Sequence, residues 1–536
     1  MRRQSQDVYI AAVGLTKVDL TGKVFGSVFD LFLDAYQRAV GDSPIRSFDA
    51  IQVGIMDAEE FENRANIAAK IADRLGLVGV PAVRSETASS TGAAAFHEAY
   101  HRIASGEADN VLVIAGERMK NVTTREATAI MSKTVDPAER RFGFTMPALI
   151  ALVTQMFFAE QKIRGPEVAD ILARLMNRAH AFGAENPLAA FSGRPEPLEA
   201  YFDEERNLPV ATPLRRKDCS PICDGAAAVI LTARPQAVQV AGLGSATDTS
   251  SLLDRAELGC LAATRRAAEF ACWRAGIRDL RSVDGLVVEA HDAFNSLLPI
   301  SLVDLGILAP DEALDALVGK GRGDAGPIDA FANPETGPRG RIPVNLSGGL
   351  KARGHPVGGT GLFQIAELYL QLTGRFPNPR AQVRNAEVGV AHSIGGPGNN
   401  VFVTLLESHR RRREPLRDLL PPPRQLPVAD ARRLPPSALH GRRARIEAAT
   451  TIHVTAGQPG PIHVALLSVG GRRVFARLEN PAEEGADVAT ALAGKPARFL
   501  IHEDGDHYVE LGRDRWDVTS LVRNVLGRFL GRRVEG

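Results

Sequence analysis

Residues 8–14, VYIAAVG, and residues 238–244, VQVAGLG, are short apolar runs that each end in glycine and read as buried strands. The first is followed by the amphipathic stretch FGSVFDLFLDAYQRAVG (25–41) and a second strand, FDAIQVGIM (48–56). The second is followed by the helical ELGCLAATRRAAEFACWRAG (257–276) and the strand-bearing SVDGLVVEAHDAF (282–294). The same strand–helix–strand order recurs about 230 residues apart, with matched landmarks: Gly14 and Gly244 close one strand, Asp49 and Asp284 open the next. α/β proteins repeat such units in any case, but shared landmarks favour duplication of one α/β unit.

Further strands fit both halves. ADNVLVIAGE (108–117) and AAAVILTA (226–233) read as buried strands, and EVGVAHSIGGPGNNVFVTLLE (387–407) as two strands around a glycine-rich turn. Strands interleaved with helical patterns put helices over central sheets, and two such halves, 1–235 and 236–407, predict a five-layer αβαβα sandwich. Composition changes after Glu407. Residues 408–443 are rich in proline and arginine without an apolar period, which suits a surface-hugging linker or a basic docking arm for acidic partners or CoA phosphates. Residues 444–536 carry short β-type runs between Gly and Pro turns, the pattern of a small antiparallel barrel or sandwich, and then a helical VTSLVRNVLGRFLGR (518–532).

Composition excludes several classes. At 536 residues the chain is too long for one core. With 64 basic and 63 acidic residues the net charge is +1, so no global field points to nucleic acid or a membrane surface. Four cysteines (219, 223, 260 and 272) are too few for a disulfide framework and suit a reducing compartment. The N-terminal MRRQSQDVYIAAVG lacks the apolar core of a signal peptide, and no run of eighteen apolar residues occurs. A cytoplasmic protein without a membrane span is expected.

Five segments carry chemistry. NLSGGLKARGHPVGGTG (345–361) holds six glycines and one histidine, so its backbone can approach a ligand closely while the Gly-His-Pro turn holds the His355 imidazole rigidly. EAHDAF (289–294) leaves a strand at its carboxyl end, where α/β sheets line ligand crevices; His291 and Asp292 are site residues there or a local capping pair. HSIGGPGNN (392–400) offers a turn of exposed N–H groups able to hold an oxyanion, or is a plain hairpin. In DCSPICDGAAAVIL (218–231), Cys219 and Cys223 lack the second ligand pair of a zinc site and read as structural, so no metal is expected. SETASSTGAAAF (85–96) runs a small-residue turn into a helix, a place for a reactive side chain, yet it holds no cysteine.

In this order, the segments resemble the thiolase superfamily, nearest to the sterol-carrier-protein-type thiolases and thiolase-like proteins. The first looks like the family's Asn-x-x-Gly-Gly…Gly-His-Pro-x-Gly motif, EAHDAF like the His-Asp-x-Phe variant of this branch, and the Asp-Gly-Ala-Ala-Ala strand is matched at residues 224–228. The resemblance spans residues 7 to about 407, and the C-terminal part is similar to the additional OB-like domain of some thiolase-like proteins. It implies a duplicated thiolase fold followed by a small β-rich domain, a coenzyme A thioester as substrate, no permanently bound cofactor, and a homodimer. The family's acyl-accepting cysteine falls on Ser89 and its acid/base cysteine on Ser393. His291 and His355 fall on the positions that bind the thioester oxygen as it becomes an enolate. The N–H groups of Ser89 and Gly395 fall on the second oxyanion hole, and Asn345, Gly354 and Gly358 lie in the substrate-binding motif.

A serine attacks only with an aligned base, and its pKa lies far above the ~8.5 of a thiol, so ordinary thiolysis is not expected. Three readings follow. Ser89 accepts an acyl group with His355 as base. Alternatively, a 3-hydroxyacyl-CoA undergoes retro-aldol cleavage on His291 and His355, with Ser393, His392 or Asp292 moving the hydroxyl proton. Or the chain binds acyl-CoA as a scaffold without chemistry. The resemblance implies tyrosine at the aldolase sites of this kind, whereas none of the six tyrosines stands beside the motifs.

Overall fold

The computed structural model describes residues 6–318, 342–409, 421–422, 436–454, 461–478, 492–502 and 506–511. Most of the 408–443 linker and the helical stretch 518–532 lie outside the described residues. The chain divides into two units, Met1–Asp430 with Ile452–Pro461, and Ala431–Thr451 with Ile462–Gly536.

In the larger unit the apolar runs become β1 (Tyr9–Leu15), β2 (Ala50–Gly54), β3 (Ala82–Ser85), β4 (Asn110–Arg118), β5 (Asp224–Thr232), β6 (Val238–Thr247), β7 (Leu286–Glu289), β8 (Val388–Gly395) and β9 (Asn400–Ser408). They form one sheet in the order β3-β2-β4-β5-β1-β6-β9-β8-β7. The halves meet where β1 pairs antiparallel with β6, Tyr9 opposite Gln239 and Ile10 opposite Val238. Outward from that seam they repeat each other. β5 and β9 are each antiparallel to both neighbours, and β2–β4 and β7–β8 are each parallel. β3 runs parallel beside β2, and its counterpart beside β7 is a single parallel bridge from Val344 to Val288. The duplication expected from the two opening stretches is therefore present strand by strand.

Both sheet faces are covered, as near-continuous apolar strands require. Leu112 and Ile114 of β4 face outward onto α1 (Val28–Gly41) and α2 (Ile67–Arg74). Val111 and Val113 face inward onto α3 (Thr91–Ala104) and the helix Thr360–Leu372. α1 starts at Ser27, whose hydroxyl accepts the Asp30 N–H, and buries Val28, Leu31, Phe32, Ala35 and Ala39 at helical spacing. Between the halves lie α4 (Met146–Glu160) and α5 (Pro166–Glu185), then α6 (Ala262–Ala275) over β6 and β9, and α7 (Thr360–Leu372) beside α3 in the central layer.

The glycine landmarks have one physical cause. A Cβ on Gly14 would lie 2.2 Å from the Ala35 carbonyl of α1, and one on Gly244 would lie 1.8 Å from the Ala267 carbonyl of α6. In each half the first strand lacks a side chain where the covering helix lays its backbone on the sheet.

The smaller unit contains β10 (Arg443–Ile452), β11 (Ile462–Val469), β12 (Arg472–Leu478), β13 (Pro496–Ile501) and β14 (His507–Leu511). They run in the order β11-β12-β14-β13-β10, and β10 also pairs with β11, which closes a barrel. β12 and β14 are parallel, and the interior is filled by residues such as Ile446, Leu467, Val474 and Phe499. This is the five-stranded OB-like arrangement, a barrel and not a sandwich.

Candidate functional site

α3 and α7 begin side by side: a Cβ on Gly361, in the first turn of α7, would lie 2.7 Å from the Ala93 nitrogen of α3 and 2.9 Å from Ser393 Oγ. Ahead of α3, the Thr87–Ser90 turn is fastened by its own hydroxyls. Thr91 Oγ1 accepts the Thr87 N–H (2.9 Å) and donates to the Ala88 carbonyl (2.6 Å), while Ser90 Oγ donates to the Thr87 carbonyl (2.8 Å). Ala88 takes φ 55°, a conformation few non-glycine residues adopt, so this turn is strained. Ser89 sits half-buried at its tip, and among the described residues its hydroxyl has no hydrogen-bond partner. Gly395, at the end of β8, presses against the same turn; a Cβ there would lie 2.3 Å from the Thr87 carbonyl and 2.5 Å from Ser90 Oγ. Ser89 and Gly395, 306 positions apart in sequence by their numbers, thus share one spot.

The histidines meet beside it. Their rings are 5.3 Å apart between centroids and stand at 87°. The Ile394 N–H donates to His291 Nδ1 (3.3 Å), and burial holds the ring's pKa well below its ordinary value. A neutral imidazole that accepts at Nδ1 carries its proton on Nε2, so His291 presents a donor. His355 is fixed by its N–H on Cys223 Sγ (3.2 Å) and by Thr360 Oγ1 at 2.6 Å from Nδ1, which leaves Nε2 as the nitrogen available to a ligand. Burial, with the Arg353 charge beside it, lowers its pKa to about 3.

Ser393 lies on the inward face of β8, fully buried, and among the described residues its hydroxyl has no hydrogen-bond partner. His392, one residue earlier, points through the other face to Thr264 Oγ1 of α6 (3.0 Å), as period-2 alternation demands. Its Nε2 is thus engaged on the α6 side of the sheet. Asp292 is used by the 345–350 turn: its Oδ1 accepts the Leu350 N–H (2.6 Å), it is also hydrogen-bonded by Asn345, and burial raises its pKa to about 6. Asn345 accepts the Ala290 N–H (2.7 Å) and donates to the Ala290 carbonyl (3.0 Å), so its amide holds the strand end ahead of His291 and does not face a ligand. Gly354 and Gly358 are backbone-approach positions; a Cβ on Gly354 would lie 2.6 Å from Val18 Cγ1 and one on Gly358 2.5 Å from Glu117 Oε2.

Glu117 escaped the sequence reading. Fully buried at the end of β4, it accepts the N–H groups of Met56 (2.8 Å), Asp57 (3.3 Å) and Gly358 (3.3 Å), tying the Gly-His-Pro loop to the strand sheet. A carboxylate closing the apolar run VLVIAGE was its only signal. Thr360, which sets His355, was likewise missed, since a helix-starting threonine reads as ordinary. Cys223 is buried and Cys219 half-buried, and burial pushes both thiols up to about 12, as structural cysteines are. An open cleft of about 680 Å³ borders the Ser89 turn, lined among others by Thr87, Ala88, Thr134, Asp248 and Gly396. Among the described residues there is no group of His, Cys, Asp or Glu arranged for a metal, and no helix long and apolar enough to cross a membrane.

Sequence comparisons show the family, and structure comparisons the fold. Residues 8–164 match the thiolase N-terminal domain and residues 244–408 the thiolase C-terminal domain-like family. The chain is 34% identical over 409 residues to an acetyl-CoA acetyltransferase of Methanothermobacter thermautotrophicus, covering 74% of this chain and 98% of that one. The fold is similar to a monomeric SCP2-thiolase-like protein type 1 of Mycobacterium smegmatis (TM-score 0.66, 17% identity, covering 94% of this chain and 99% of that one). It is also similar to the Ltp2–ChsH2(DUF35) aldolase (TM-score 0.60, 18% identity, covering 76% of this chain and 100% of that one). The chain belongs to the thiolase superfamily.

Proposed function

We propose that this protein binds acyl-CoA thioesters and makes or breaks a carbon–carbon bond next to the thioester without a covalent acyl-enzyme, as a retro-aldol lyase acting on a 3-hydroxyacyl-CoA. The observation that carries this reading is the buried histidine pair: His291 offers Nε2–H where His355 offers Nε2. His355 Nε2 takes the proton of the 3-hydroxyl when Thr360 accepts its Nδ1–H. The C2–C3 bond then breaks to give a carbonyl product and a thioester enolate, whose oxygen rests on His291 Nε2–H. Imidazolium at His355 returns the proton to C2. Donors aimed at a developing oxyanion are each worth about 3–4 kcal/mol in a buried site. Ser89 falls on the family's nucleophile position by resemblance, and among the described residues its hydroxyl has no hydrogen-bonded base, which speaks against thiolysis.

A second reading, acyl transfer through Ser89, is favoured by one feature: the close approach of Gly395 to the Thr87–Ser90 turn, as a second oxyanion hole made of the Ser89 and Gly395 N–H groups would require. Mass spectrometry separates the two. With a 3-hydroxyacyl-CoA, the lyase releases a carbonyl compound and acyl-CoA, exchanges C2 hydrogen in heavy water, and carries no acyl adduct. An acyl group on Ser89 moves the assignment to serine-based transfer, and binding without product or exchange reduces the protein to an acyl-CoA scaffold. No permanently bound cofactor enters this scheme. The Mycobacterium smegmatis relative is named monomeric; for this chain we infer a homodimer, because the edge strand β3 leaves Val83 45% and the preceding loop Val78 78% exposed.

A further inference from the structure

The Gly395–Gly398 turn is held from outside the motifs. Arg255, 1% exposed, donates from Nη2 to the Pro397 carbonyl (2.9 Å), and its Nε lies 3.7 Å from Asp248 Oδ2. The Asp248 N–H in turn donates to the Asn399 carbonyl (3.1 Å), so segment 248–255 grips both sides of the turn. That segment is itself pinned by the insert between β4 and β5. Glu139, fully buried in the short helix Pro137–Arg140, accepts the Ser251 hydroxyl (2.8 Å) and the Leu252 N–H (2.7 Å). Asp136, which caps that helix, accepts the Ser250 hydroxyl (3.1 Å). A buried guanidinium bonded to a carbonyl and a buried carboxylate bonded to a hydroxyl and an N–H are costly to desolvate, and they persist only where geometry is tightly set.

We propose that Arg255 and Glu139 are positioning residues that fix the Gly395–Gly398 turn, so that the insert carrying Pro137–Arg140 controls whether the Gly395 N–H is aimed at a bound thioester. This rests on the reading of Gly395 as an anion-binding N–H. Arg255 acts through Pro397, and Glu139 acts through segment 250–252, which delivers Arg255 to the turn.

The test uses the full chain. Amide hydrogen exchange read by mass spectrometry reports the turn without any substrate. Arg255→Met is expected to speed exchange about tenfold in peptides covering 391–400, with β4 peptides unchanged, and Arg255→Lys to restore part of the protection. Glu139→Ala is expected to speed exchange in both 248–256 and 391–400, whereas Glu139→Gln, which keeps an acceptor oxygen, is not. A second arm adds Ser89→Cys. Capture of an acetyl group from acetyl-CoA should slow about a hundredfold in the Arg255→Met background, while alkylation of the same cysteine by iodoacetamide keeps its rate. Unchanged exchange at 391–400, or exchange that rises equally in β4, overturns the proposal. So does a parallel fall of acylation and alkylation. A Ser89→Cys protein that takes no acyl group under any background overturns the thioester reading instead, and the exchange arm then decides the coupling alone.

Discussion

A histidine serves as an oxyanion donor only when its tautomer is fixed, and at His291 the Ile394 N–H does the fixing by occupying Nδ1. Ground-state binding of a CoA ester draws on the whole nucleotide and pantetheine, whereas His291 meets charge that appears only as the enolate forms and His355 takes up the hydroxyl proton only as the C2–C3 bond breaks. His291→Ala and His355→Ala are therefore expected to lower turnover about 10²–10³-fold while calorimetric affinity for the CoA ester changes only about threefold or less. Equal losses in both would count against the enolate role, and thermal melting guards against unfolding. The same burial has a pH signature. His97, His180, His355 and His392 are each lowered to about 3 by desolvation, against about 6.5 in an unfolded chain. The unfolded state binds the extra protons, so this contribution is complete above about pH 6.5 and is lost as pH falls toward 3. Buried carboxylates such as Asp304, raised to about 7, act in the opposite sense, so single variants isolate the effect. His97 bonds Thr404 Oγ1 (3.0 Å) away from the site, and His97→Gln should show a smaller drop in Tm than the parent between about pH 7.5 and about pH 5.

At the scale of elements, the paired glycines make the duplication testable. Because Ala267 and Ala35 supply helix backbone and not a pliant side chain, Gly244→Ala and Gly14→Ala must lift α6 or α1 from the sheet. Each should cost about 3 kcal/mol or more in urea unfolding, at or beyond the usual range for overpacking. Gly41, at the end of α1 with nothing within 4 Å of its added Cβ, is the control; Gly41→Ala should be neutral or stabilising by about 0.5 kcal/mol. Equal behaviour of all three would remove the close-packing account. This echo was legible in the sequence because the constraint falls on one residue at a repeated place in a strand. The second landmark was only half legible: Asp49 accepts the N–H groups of Asp109 and Asn110 (2.8 and 2.9 Å), a role not matched at Asp284 among the described residues. His355 and His291 could be placed because glycine-rich turns and strand ends announce themselves. Asn345 and Asp292 could not, since their partners, Ala290 and Leu350, are fixed only once two segments some 55 residues apart meet. The opposite facing of His392 and Ser393 was available from alternation along β8 and went unused.

Over the whole molecule, the sheet closes on itself nowhere: β3 at one end and β7 at the other are its edges. The β7 edge carries the Val344 bridge, while among the described residues β3 has β2 on one side only. Unpaired strand edges are templates for another chain, and proteins that stay monomeric usually blunt them with charge, proline or a covering segment. Here the edge ends in Ser85 and presents Val83, 45% exposed, after a loop in which Val78 is 78% exposed. Net charge of +1 offers little repulsion between copies. A two-fold pairing of β3 with β3 of a second copy would hide these valines and lay the Thr87–Ser90 turn, which follows β3 directly, close to the interface. Order in that turn would then depend on the partner. Sedimentation of the full chain is expected to give twice the chain's mass at micromolar concentration, and Val83→Lys to give single chains. The dissociated variant should keep its thermal transition within about 3 °C yet lose CoA-ester turnover about tenfold or more, because the Ser89 loop loses its support. A single-chain mass for the unmodified protein, or full turnover by the dissociated variant, would place the work of the site within one copy and leave β3 to be explained as an edge protected by its shortness, by Pro81 ahead of it and by the Arg84 charge.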